Sequence, residues 1–189
     1  MTINDADIAI CAASLQLIGA EEIGSFDDET REARTCASIY PTLKQNVLQK
    51  HNWRFSIRQE QLNRLVSTPL FGFGYAYSLP SDFLRLVGKD NPTIKHQIFE
   101  NKVYTDLTTL YANIQYNVDA QYFPAYFKHL LHLELAGLLA AALLEDENKA
   151  DKFGGFAQRQ LLIAKNIDSQ NNSSSTIPEG AFKLTAVRF

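Results

Sequence analysis

The chain has 189 residues, 46% hydrophobic and 21% charged, with a formal net charge of −3. That length fits one domain with a sizeable core, and the slight acidic excess argues against a sequence-independent grip on nucleic acid, which needs clustered Lys and Arg. Two cysteines are too few for a disulfide framework, so Cys11 and Cys36, each on an apolar helical stripe, read as buried reduced thiols.

The first predicted helix opens at Asn4 or Asp5, whose side chains can cap free amides, and stops at Gly19. Ile8, Cys11, Leu15 and Ile18 fall at three-four-three spacing and define its buried stripe. Asn4, Asp5 and Asp7 also stand where a secretory signal would carry basic residues, so the protein is expected to stay in the cytosol of the cell that makes it. A second helix follows Ser25 to Asp28, with Ala33, Cys36, Tyr40, Leu43 and Val47 inward. Pro41 inside it predicts a kink near Ala37, because the ring displaces the carbonyl four residues back. The two helices are expected to pack as a hairpin.

The middle of the chain changes period. Phe71, Phe73, Tyr75, Tyr77 and Leu79 alternate with small residues, as only a strand accommodates. One face of that strand is aromatic and the other nearly bare, open to another backbone or subunit. Trp53, Phe55 and Ile57 alternate likewise, as do Leu110, Ala112, Ile114 and Tyr116. Gly88 to Pro92 and Glu100-Asn101-Lys102 read as turns.

A third helix opens at Phe123-Pro124 and from Leu135 to Leu144 has no polar residue on any side. That apolar run is too short for a bilayer, which takes about 20 residues. A helix apolar all round must be surrounded by protein, supplied either by a neighbouring subunit or by the chain's own core. A fourth helix runs from near Asn148 to Ile167, with Phe153, Phe156, Gln160, Ile163 and Ile167 on its stripe. Gly154-Gly155 within it signals a close crossing or a break. Ser169 to Ile177 reads as a linker, and the apolar segment beyond it as an arm that docks on its own fold or on a partner.

The expected architecture is α+β: a four-helix bundle built from an N-terminal helical hairpin and two C-terminal helices, a small mostly antiparallel β lobe inserted in the middle, and an extended C-terminal arm. Residues 1–52 and 119–170 form the bundle, 53–118 the β-rich lobe, and 171–189 the linker and docking arm.

Catalytic signatures are absent from the sequence. There is no phosphate loop, nucleophile elbow or paired CxxC. His129 and His132 lack a third ligand on their face, so no metal is expected, and no cofactor site is apparent. Glu134, a lone carboxylate among leucines, is expected to be paired across a helix or subunit contact. Glu21-Glu22, Asp27-Asp28 and Glu145-Asp146-Glu147 sit at helix ends and loops, where solvation and the helix dipole already explain them. A glycosidase would need two carboxylates on one cleft.

Several words taken in order carry a resemblance. They are the opening helix through Gly19, the segment from Ile23 to Cys36, His51-Asn52-Trp53-Arg54-Phe55-Ser56-Ile57, and Phe73 through Leu86 with its Leu79-Pro80-Ser81-Asp82 turn. The hairpin around Val103 to Asp106, the strand to Tyr116, and Phe123-Pro124 with its Leu/Ala helix follow. Over residues 5 to 168 this order resembles the head-to-tail adaptor (tail tubular protein A) family of short-tailed phages.

The resemblance implies a non-enzymatic structural virion protein, made in the host cytoplasm. It would form a ring of about twelve copies between the portal protein and the tail nozzle protein. Genomic DNA would pass through the conduit without specific binding, and no membrane is involved. A mildly acidic wall suits that passage, since like charge discourages sticking. Trp53, Phe71, Phe73, Tyr75 and Tyr77 are expected to pack the sheet or its junction with the next subunit, Glu134 to lie at a contact, and Phe182, Leu184, Val187 and Phe189 to anchor the arm, which could stitch the ring to the portal. The competing classes are a tail-associated polysaccharide or cell-wall hydrolase and an interaction protein that forms no ring.

Overall fold

The structure, a computed structural model, describes residues 5–170. It is α+β, with four helices and two small antiparallel sheets. Helix α1 spans Asp5–Ile18 and ends where Gly19 turns into the left-handed region at φ +78°, a conformation that costs glycine nothing. Its buried face carries Asp7, Ile10, Cys11, Ser14, Leu15 and Ile18, with Ile8 only half-buried. The stripe is therefore rotated from the expected one and admits two polar residues. Ser14 is satisfied by donating to the Ile10 carbonyl at 2.8 Å.

Helix α2 spans Arg31–Gln49, and its N-cap is Thr30, whose hydroxyl accepts from the Ala33 amide at 3.2 Å. Ser25 to Asp28 does not start this helix. Asp28 instead folds the preceding loop on itself, accepting from the Gly24 and Ser25 amides at 2.9 Å each. The helix continues through Pro41 without interruption.

Helices α3 (Ala125–Leu144) and α4 (Glu147–Gln170) follow the sheets. α3 packs closely against α4, α1 and α2, whereas α1 meets α2 mainly through side chains, Asp7 on Tyr40 and Lys44 and Cys11 on Cys36. The backbones of α1 and α2 are less closely paired than a tight hairpin would have them, and α3, whose Leu135–Leu144 run is apolar on every side, seats against both. Half of its apolar stretch is buried. At 20 residues it is long and apolar enough to cross a membrane, so the shorter count from the apolar run alone understated its length. In this fold its neighbours are helices of its own chain. Arg31 donates to the Ala142 carbonyl at 3.0 Å and Lys149 to the Ile18 carbonyl at 3.1 Å, two cations on carbonyls at helix ends.

Gly137 explains how α3 and α4 come so close. A Cβ there would lie 3.4 Å from the Ala150 carbonyl and 3.5 Å from the Phe153 Cβ. Gly154 and Gly155 sit inside a continuous α4 with open space where their Cβ atoms would be, so neither a break nor their own need for room accounts for them.

The strands are β1 (Ile57–Gln61), β2 (Tyr75–Ser78), β3 (Phe83–Lys89), β4 (His96–Phe99), β5 (Lys102–Thr105) and β6 (Tyr111–Tyr116). One sheet has the order β1-β6-β3 and the other β2-β5-β4. β4 and β5 join through Glu100 and Asn101, both at positive φ (52° and 58°), the geometry of a two-residue hairpin turn.

Two expected strands are shorter than their alternation suggested. Arg54–Ser56 forms a turn of 3-10 helix, and residues before Tyr75 lie in a loop, so Phe71 and Phe73 are off the sheet. Neither are the faces of β2 aromatic and bare: Ala76 and Tyr77, on opposite faces, are both buried.

Among the described residues the core falls into two apolar clusters. The larger joins all four helices and includes Trp53, Val118, Ala120 and Phe123; the smaller is centred on Leu62, Tyr77, Val103, Leu110 and Ile114 between the strands. Leu84, at a register shift in β3, and Tyr116 pack against the helical cluster. The fully buried Gln115 lies with its amide nitrogen 2.7 Å from the Leu48 carbonyl, 2.8 Å from the His51 carbonyl and 3.0 Å from the Ser56 hydroxyl. It thereby ties β6 to carbonyls that the end of α2 leaves free.

Candidate interaction surfaces

Three polar clusters bring titratable side chains together among the described residues. In the first, Asp7 accepts from the Tyr40 hydroxyl at 2.6 Å and from Lys44 at 3.1 Å, with all three buried. Burial, reinforced by the Asp7 carboxylate, pushes the Tyr40 phenol far above its ordinary range. Lys44 also sits 5.4 Å from the Phe123 ring centroid. Cys11 and Cys36 are nearby, buried and free; their mutual hydrogen bond and burial push the Cys11 thiol up, so it stays protonated.

In the second, the buried Asp168 near the end of α4 accepts from the Tyr126 hydroxyl at 2.7 Å and the Arg54 amide at 3.1 Å. His51 lies 3.6 Å from the same carboxylate and packs edge-on against Trp53. Burial lowers the His51 pKa even though Asp168 pulls the other way; at that distance desolvation outweighs the carboxylate. In the third, Arg58 holds Asp82 through two bonds of 2.7 and 3.0 Å and Glu60 through one of 2.9 Å. Each cluster is internally satisfied and fastens one element to another.

The acidic pairs do local work. Asp28 closes its own loop, Asp146 accepts from the Lys149 amide at 2.9 Å at the start of α4, and Glu22 accepts from Gln16. Among the described residues no group of three or more His, Cys, Asp or Glu is placed to hold a metal ion.

The expected interface residues do not form one patch. Trp53 is fully buried in the helical core, where its indole donates to the Val47 carbonyl at 3.0 Å and its ring meets Phe127 edge-on at 5.2 Å. It thus belongs to the helical core, against which Leu84 and Tyr116 of the sheet also pack, rather than to the sheet cluster. Its alternation with Phe55 belongs to a 3-10 turn that aims both rings at Phe127. Tyr77 is buried in the sheet cluster and donates to the Leu107 carbonyl at 2.7 Å. Tyr75 is half-buried beneath Arg64. Glu134 pairs with Lys50 of its own chain, joining α3 to the end of α2. Phe73 lines a groove, and Phe71 is 86% exposed. Phe182, Leu184, Val187 and Phe189 lie outside the described residues.

Two surfaces stand out instead. The first is the loop before β2, where Val66, Leu70 and Phe71 are almost fully exposed. The second is the outer face of the C-terminal helices, with Leu162, Ile163 and Ile167 on α4 and Leu138 and Leu144 on α3. The expected α4 stripe holds over its first half, where Phe153 and Phe156 pack against the helical core and Gln160 donates to the Tyr126 carbonyl at 3.2 Å, and drifts off the inward face beyond it. Ala157, Ala164 and Asp168 face inward, which leaves Ile163 and Ile167 outside. The small Ala157 and Ala164, seven apart and so on one helix face, were the available signal. Val66 and Leu70 carry no sequence signal of exposure, since each stands beside another apolar residue, Leu65 and Phe71.

Neither a family model nor a curated protein matches the chain.

Proposed function

We propose that the protein is a head-to-tail adaptor: a structural virion component of a short-tailed phage, made in the host cytoplasm, that forms a ring of about twelve copies between portal protein and tail nozzle protein. The ring extends the conduit for the genome, and the acidic subunit lets DNA pass without holding it. In this reading the protein is not an enzyme, needs no cofactor and engages no membrane. Its four helices act as a bundle that carries the β lobe, and its C-terminal segment as a docking arm.

The observation that supports this reading most is the pair of unpartnered apolar surfaces on different elements, the Val66/Leu70/Phe71 loop and the α4 outer face. A ring closes through heterologous contacts, in which one surface of each copy meets a different surface of the next. A single isologous patch would give a dimer. Large exposed apolar patches mark interaction surfaces.

The test is to mix the purified chain with its portal complex and image the product by electron microscopy. Rings seated on the portal are expected; free single copies beside bare portals would refute the proposal. Deleting residues 178–189 is expected to leave the fold unchanged and weaken portal co-sedimentation.

A further inference from the structure

Asp7 and its two partners fix how α1 crosses α2. Its carboxylate accepts from the Tyr40 hydroxyl at 2.6 Å and from Lys44 at 3.1 Å. Residues four apart share a helix face. One turn onward from Asp7 along α1 is Cys11, and one turn back from Tyr40 along α2 is Cys36. An antiparallel crossing that sets Asp7 on Tyr40 therefore sets Cys11 on Cys36. The two thiols do meet, sharing a hydrogen bond, and both are fully buried in the helical core. They are the only cysteines of the chain, so within the molecule each has a single possible thiol partner.

α1 and α2 otherwise meet mainly through side chains, with α3 seated against both. Their backbones nevertheless come within 8 Å of each other. A disulfide takes Cα atoms about 4.4–6.8 Å apart and sulfurs at about 2.05 Å, which rotation of two short side chains with a small helix shift supplies. The contact with Cys11 holds the Cys36 thiol below its ordinary range against the opposing pull of burial, while Cys11 is pushed up. Cys36 is therefore the member that supplies a thiolate, the reactive form.

We propose that the pair is a peroxide-responsive latch, in which a Cys11–Cys36 disulfide joins α1 to α2. The Cys36 thiolate attacks one oxygen of hydrogen peroxide and breaks the O–O bond, giving a sulfenic acid and hydroxide. The hydroxide takes up the proton that Cys36 released. The Cys11 sulfur then displaces the sulfenic hydroxyl, which leaves as water with the Cys11 proton. In sum two thiols lose two electrons and two protons, and one peroxide is reduced to two waters. An oxidant this small suits thiols without exposed surface, which it reaches through local opening of α1. The link closes residues 11–36 into a loop and stabilises chiefly by restricting the unfolded chain. This inference goes beyond the adaptor reading and does not rest on ring formation.

The test treats the purified full chain with dithiothreitol or with hydrogen peroxide, blocks free thiols, and digests it with trypsin without reductant. Peroxide is expected to link the peptide ending at Arg31 to the one ending at Lys44 in most chains, two hydrogens lighter than their sum. The melting temperature should rise by roughly 5–10 °C, and dithiothreitol should reverse both changes. Cys11→Ala and Cys36→Ala should each abolish the link and the rise. The oxidised and reduced forms of the unmodified chain carry the test even where a variant fails to fold. Thiols that stay free after peroxide overturn the proposal. So do sulfinic or sulfonic acid at Cys36 in place of the link, a disulfide between two copies on a non-reducing gel, or a linked chain that melts no higher than the reduced one.

Discussion

Lys44 and Asp7 are both almost completely removed from water and 3.1 Å apart, whereas Lys50 and Glu134 remain partly solvated at 37% and 16% side-chain exposure. Removing one member of a buried pair leaves an expensive charge behind, typically about 3–5 kcal/mol, while a wetter pair contributes about 0–1 kcal/mol. Lys44→Met is therefore expected to lower unfolding free energy by roughly 3 kcal/mol and Lys50→Met by less than about 1 kcal/mol, read by urea denaturation. Restoring charge balance in D7N/K44M should recover much of the first loss. Comparable costs for the two single variants would refute the ranking.

His132 supplies a pH dependence at the same scale. Burial lowers its pKa from the usual 6.5, helped by the positive charges of His129 and Lys128. The unfolded chain then binds the proton first as pH falls below 6.5, so the stabilisation is complete above that value and is lost as pH falls through the folded-state pKa. His51 has the same sign for the same leading cause, with Asp168 opposing it. The melting temperature is expected to fall from pH 7 to about pH 5, and His132→Gln to flatten that slope. An identical slope in the variant would assign the dependence to other groups.

Among the elements, the α3–α4 contact makes opposite predictions for three glycines. At Gly137 a larger side chain meets the Ala150 carbonyl and Phe153, so Gly137→Leu should destabilise by about 1–3 kcal/mol through overpacking. Gly154 and Gly155 have open space where a Cβ would stand, so alanine at either should stabilise by up to about 1 kcal/mol through helix propensity. Thermal melts of the three variants check the order, and a Gly154→Ala variant less stable than the parent would show a constraint that the space around it does not reveal.

The same elements show what could be read in advance. The helices were legible because chain punctuation and three-four spacing act locally, and Gly19 and Pro124 mark real ends. Faces were less legible. On α4 the expected stripe holds at Phe153 and Phe156 but not at Ile163 and Ile167, because the small Ala157 and Ala164 take the inward positions. The strand ends failed for a related reason: alternation through Trp53-Phe55 and Phe71-Phe73 is equally compatible with a 3-10 turn and a loop once the rings are drawn to Phe127 or to a groove. The exposed Val66 and Leu70 become visible only when the sheet places their loop at the surface.

At the scale of the whole molecule, the arrangement of the two apolar surfaces decides what assemblies are possible. If the Val66/Leu70 loop of one copy meets the α4 face of the next, each copy has one donor and one acceptor surface. V66D/L70D destroys the first and L162D/I163D the second, and since all four side chains are at least half exposed, both variants should keep parental stability within about 0.5 kcal/mol. Alone, neither can form a contact. Mixed, the intact loop of one variant can still meet the intact helix face of the other, once, and propagation stops there. Native mass spectrometry of the mixture, with portal added to template assembly, should then show a discrete 1:1 pair that neither variant gives alone. Self-complementary surfaces predict something different: each variant keeps its intact patch and dimerises through it, and mixing adds nothing. Pairs that appear only on mixing therefore identify a head-to-tail contact, the one interface geometry from which a ring around a genome conduit can close.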